Sequence, residues 1–249
     1  ALNTSYTTAA GNTITFSEIR YWLSNVKLIK ADGSEVSLLD SYYLMTENNL
    51  LPADGDNYNA YPARDRESVD IWVPYGDYTG IKYSIGVDST YNDDLGKHAG
   101  ELHETSRGTD FFWMWSSSYI FSRTRGTCTS CTGTQAFLLD TGTNSNFRTI
   151  TQTFPSTVSV TKNTNSPQIS LKMDVKQFFT GINIQSLSVS NGKRIISATT
   201  PSLMSTLTDN VAASTSMVSA SAGALPEANR VLETLEVAKY FGTTPFALD

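Results

Sequence analysis

Residues 12–45 read NTITFSEIRYWLSNVKLIKADGSEVSLLDSYYLM. Apolar and polar side chains alternate through most of this run, and aromatic and β-branched residues are frequent. That is the pattern of strands with a buried face. Asp32-Gly33 sits between two such runs, where a hairpin turn needs a residue free to adopt positive φ. The same period returns in ESVDIWVPY (67–75), GIKYSIGVD (80–88), FFWMWSSSYIFSRTRG (111–126) and QAFLLDTG (135–142). It continues in FRTITQTF (147–154), STVSVTKN (156–163) and QISLKMDV (168–175). Short strands at this spacing predict an all-β protein, an immunoglobulin-like antiparallel β-sandwich. Two stretches break the rhythm. TTPSLMSTLTDNVAAS (199–214) has helical character. LPEANRVLETLEVAKYFG (225–242) has Pro226 and Glu227 for a first turn and Gly242 for a stop, so it predicts a short C-terminal helix. The Ser- and Ala-rich run before it, 213–223, reads as a linker. The expected organisation is a sandwich over 1–215, then linker, helix and tail over 216–249.

Length and composition bound the function. A chain of 249 residues can bury a large core as one β domain. Only 17% of residues are charged, and Ser, Thr and Asn fill the difference, which favours a place outside the cytoplasm. The net charge of −6 argues against nucleic acid and anionic membrane surfaces as partners. No run approaches the ~20 apolar residues of a membrane helix. The chain starts at Ala1 with neither a basic nor an apolar leader region, which fits a periplasmic or extracellular protein whose signal peptide has been removed.

The two cysteines, Cys128 and Cys131, stand in GTCTSCTGT. Residue 132 is Thr, where c-type heme attachment needs His. A second ligand pair for zinc is missing, and the flanks are strands rather than the helix N-terminus of a redox site. A structural disulfide at a loop tip is the expected reading. Asp54, Asp56 and Asn59 offer alternate oxygen ligands that suit Ca²⁺, but the distal Glu of a calcium loop is absent, and an ordinary acidic turn is the simpler reading. Neither a nucleophile elbow nor a phosphate-binding loop is present, so the chain reads as a non-enzyme.

Five blocks, taken in order, resemble the MbnP family of bacterial copper-binding proteins, related to MopE and CorA. They are IRYWLSNVKLIKADG (19–33), YSIGVD (83–88), FFWMWSSSYIF (111–121), FLLDTGTNSNFRTI (137–150) and LKMDVKQFFTG (171–181). The resemblance covers most of residues 5–215. It implies an exported β-sandwich with one copper site. It also implies a tryptophan oxidised to kynurenine at that site, by a MauG-like di-heme partner. Trp113 or Trp115 would be the oxidised residue. The family's ligands are chiefly histidines, as suits copper. This chain has two, His98 and His103, in LGKHAGELHETS. Where the family often carries a further His, FLLDTG places Asp140. His98, His103 and Asp140 are therefore the candidate ligands. The family's first strand has no counterpart before LNTSY.

A second reading belongs to another class. With few histidines and an added C-terminal segment, the chain also fits a structural or adhesive surface subunit that has lost the metal. Such a subunit would assemble through residues 222–249, which would add a strand to a neighbour or partner protein.

Overall fold

The computed structural model describes residues 2–48, 67–102, 111–113, 118–161, 167–221 and 234–238. The expected all-β sandwich is what they form. β1 (Ser5–Thr7) leads into a long strand, β2 (Thr13–Lys30), which turns at Asp32-Gly33 into β3 (Glu35–Ser37). Gly33 has φ +82°, and the Asp32 carboxylate accepts from the Ser34 N–H and hydroxyl, so the turn forms as its sequence requires. Then follow β4 (Tyr42–Asn48), β5 (Val69–Trp72), β6 (Gly76–Ile85), the short α1 (Ser89–Asn92), β7 (Phe112–Trp113), β8 (Ser118–Cys128), β9 (Ala136–Gly142) and β10 (Arg148–Val160). β11 (Gln168–Met173), β12 (Val189–Ser190), β13 (Lys193–Ile196), α2 (Pro201–Ala213), β14 (Thr215–Ser221) and β15 (Thr234–Ala238) complete the described chain.

The larger sheet runs β10-β6-β2-β8-β9-β13-β12, and β1, β3 and β4 line the other edge of β2. β2 is the hinge of this sheet. Residues 14–21 pair with β8, and residues 23–30 pair with β6. One strand thus feeds two diverging halves. Its central residues are buried on both faces, which is why Glu18 to Ser24 breaks the simple in–out alternation of its ends. The smaller sheet runs β14-β11-β15-β5. Pairing is antiparallel except for β9–β13 and β5–β15, which are parallel.

Two expectations near the C-terminus change. The linker at 213–223 contributes β14, where half-buried Thr215 and Met217 alternate with exposed Ser216 and Val218 along β11. Within the expected helix at 225–242, residues 234–238 form β15 between β11 and β5. The run TLEVA satisfies a period of two as well as a helical one, and two open strand edges decide between them. The remainder of that stretch lies outside the described residues. The helix late in the fold is α2, which buries Met204, Leu207 and Val211 along one stripe after Pro201. The division expected at 215/216 falls at the start of β14.

The core is continuous. Phe16, Phe137 and Phe179 meet with ring centroids 5.8–6.4 Å apart, in tilted or edge-on contacts that suit aromatic quadrupoles.

Candidate metal centre at the loop end of the sheet

Side chains on one face of β2, β8 and β9 point the same way because cross-strand partners share a face. The register sets Glu18 opposite Arg125, Arg20 opposite Arg123, and Arg123 opposite Asp140. Five charged residues therefore stand together, and four of them are buried: Glu18, Arg20, Arg123 and Asp140. Asp140 accepts two parallel hydrogen bonds from Arg123, from Nε and Nη2, each at 2.8 Å. Glu18 binds both Arg20 and Arg125, the latter at 2.9 Å. The Phe111 ring lies over the Arg20 and Arg123 guanidiniums at 5.1 and 5.8 Å. Burial lowers the Arg20 pKa to about 10, with Glu18 pulling it up and Arg123 and Arg125 pushing it down. Trp22 and Tyr119 continue the face in an edge-on pair.

Trp113 covers the end of this face. A Cβ added at Gly142 would stand 2.6 Å from the Trp113 ring, so glycine there makes room for the indole. Gly142 and Asp140 are two residues apart and share a face of β9, about 7 Å along the strand. The structure thus brings Trp113 and Asp140 to neighbouring positions. Asp140, however, is the counter-ion of Arg123, and both its oxygens are engaged.

His98 is exposed, in the loop after α1. Asn92 fixes that loop to the hairpin carrying Trp113. Its side-chain oxygen accepts from the Ser118 hydroxyl at 3.1 Å and the Tyr119 N–H at 2.9 Å, and its amide donates to Asn144 at 2.8 Å. Asn144 in turn donates to Asp93 at 2.8 Å. Thr143, beside Gly142, holds φ +68°, an unusual conformation for a β-branched residue. Residues 86–102 and 142–147 thereby meet β7 and the start of β8 at one end of the sheet.

His103 and Trp115 lie outside the described residues, as do Asp54, Asp56 and Asn59 of the calcium reading. Among the described residues no three His, Cys, Asp or Glu side chains come together as a metal site. Cys128 and Cys131 form the expected disulfide, with Cα atoms 5.3 Å apart. Asn92 and the arginine–carboxylate face were not singled out from sequence. The signal for the latter was present: Glu18 and Arg20, and Arg123 and Arg125, recur at period two in strands that are otherwise largely apolar.

No helix among the described residues is long and apolar enough to cross a membrane. No curated protein matches the chain. Among solved structures, MbnP from Methylosinus trichosporium aligns with a TM-score of 0.46 at 13% identity, covering 77% of this chain and 76% of that one. The family model for MbnP matches residues 1–198, about four-fifths of the sequence and all five blocks quoted above, and the chain therefore belongs to the MbnP family.

Proposed function

We propose that the protein is an exported, non-enzymatic copper-handling protein whose metal centre forms at the loop end of the β8–β9 face. Trp113 or Trp115 is the residue converted to kynurenine, and His98 and His103 supply imidazole. Asp140 and Arg123 form the buried charged floor beside it. The observation that carries this reading is the seat of Trp113 on Gly142, in a hairpin that Asn92 ties to the His98 loop. Membership of the MbnP family supports copper as the metal in this reading.

The chemistry suits the residues. Indole is a poor ligand, because its N–H lone pair belongs to the ring. Two equivalents of a peroxide-class oxidant open the pyrrole C2–C3 bond, each giving one oxygen atom and leaving as water; hydrolysis of the resulting N-formyl group then releases C2 as formate and leaves an aryl ketone and an arylamine. Both carry lone pairs a metal can use. A MauG-like di-heme partner is the oxidising agent in this reading. The histidines provide the neutral nitrogen that copper favours.

Co-expression with such a di-heme protein tests the proposal. Wild-type chain retains copper through gel filtration, and Trp113→Phe, Trp115→Phe and His98→Ala are compared with it. Loss of copper in the histidine variant and in at least one tryptophan variant is expected. Full retention in all three would refute the assignment.

A further inference from the structure

A second site lies between the two sheets. A cleft of about 150 Å³ opens between β2, β4 and β6 on one side and β5 and β11 on the other. Met45 and Met173 both line it. Met45 stands opposite Tyr21 on the face that also carries Ile19 and Leu23. Met173 comes from the smaller sheet, opposite Thr215, and Leu171 stands opposite Met217. Met173 and Met217 are therefore diagonal neighbours on one face, about 7–8 Å apart and within reach of long side chains. Met45 and Met173 thus line this space from two sheets, and Met217 stands beside Met173 on the smaller sheet.

Methionine in a core usually fills an irregular gap. Here Met45 and Met173 line an open cleft. Among the described residues, Glu47 and Glu67 give the cleft two carboxylates against one Lys172, a balance that favours a cation. Thioether sulfur is soft and selects Cu(I) over harder ions. The Tyr21 and Tyr83 rings also line the cleft, and aromatic faces are compatible with a cation.

We propose that Met45, Met173 and Met217 form a thioether site for a soft monovalent cation, separate from the centre beside Trp113. It shares no residue with that centre. Only the choice of Cu(I) among soft ions rests on the copper-handling reading.

The test uses the full chain labelled with ¹³C-methyl methionine. Anaerobic titration with Ag(I), a closed-shell stand-in, is followed by methyl NMR, and Cu(I) affinity is measured by competition with a colorimetric chelator. Methyl resonances of Met45, Met173 and Met217 shift together, while that of Met204, buried on α2, does not. The triple variant Met45→Leu/Met173→Leu/Met217→Leu, which nearly conserves volume, weakens Cu(I) binding about tenfold or more. Met204→Leu leaves it unchanged. Absence of methyl shifts at saturating Ag(I) overturns the proposal, and so does unaltered Cu(I) affinity in a folded triple variant. Binding that disappears in His98→Ala but survives in the triple variant would support the Trp113 centre and defeat this one. Methyl shifts that persist in His98→Ala would establish this site independently.

Discussion

Arg123 and Asp140 form a buried, two-pronged ion pair, and such a pair is costly to break from one side. Removing one partner leaves the other charged and desolvated, typically at about 3–5 kcal/mol. Asp140→Asn should lower the unfolding free energy by that order, read from chemical denaturation. Arg123→Met/Asp140→Leu together should recover most of it, because an apolar pair asks for no counter-ion. Glu35 behaves differently, since it is held at the surface by Lys27 and Lys82, each at 2.8 Å. Hydrogen bonds from these two lysines draw its pKa from the ordinary 4.5 to about 2. Between those values the folded state binds fewer protons than the unfolded one. The stabilisation is therefore full above pH 4.5 and is lost as pH falls through 2. Glu35→Gln should flatten the acid limb of a stability–pH curve over that window and leave its neutral shape alone. Asp88 adds to the same limb. Burial raises its pKa, but hydrogen bonds from Tyr42, Thr90 and Asn25 outweigh burial and lower it.

The elements around the centre depend on one small side chain. Asn92 is buried, and its three hydrogen bonds join α1, the start of β8 and the turn after β9. Asn92→Ala would take its side-chain acceptor from the Tyr119 N–H and leave the Ser118 hydroxyl with only the Tyr119 carbonyl, at about 1–3 kcal/mol for a buried group left unsatisfied. Hydrogen exchange at Ser118 and Tyr119 should accelerate well beyond any change at Ile81 or Leu28 in the sheet interior. Unchanged protection there would mean the hairpin holds Trp113 without this anchor. Legibility divides along the same line. The strands were readable because period-two alternation is written locally in β2, β6 and β10. Trp113 was readable as a strand residue because it stands in an aromatic run. Asn92 was not, because its role depends on which loops the topology brings together. The 225–242 stretch misled because TLEVA satisfies two periods, and only the open edges of β11 and β5 choose between them.

At the scale of the molecule, the C-terminal segment completes the chain's own smaller sheet. β15 is the one described element that links β5 to β11. Deleting residues 222–249 should therefore lower the melting temperature by about 5 °C or more, for a loss of about 2 kcal/mol. Sedimentation should find both the full chain and the deletion monomeric. An assembled full chain that falls to monomer on deletion would instead favour the surface-subunit reading. The disulfide contributes on a similar scale. It closes a loop of only a few residues, so Cys128→Ser/Cys131→Ser should cost roughly 2 kcal/mol by chain entropy.

The central question is whether this member of the MbnP family carries copper beside an oxidised tryptophan. High-resolution mass spectrometry of protein from its native source, intact and then as peptides, reads both at once. Copper retained on the intact chain, with kynurenine in the peptide at residue 113 or 115, is the predicted result. A metal-free chain with both tryptophans unmodified would contradict it.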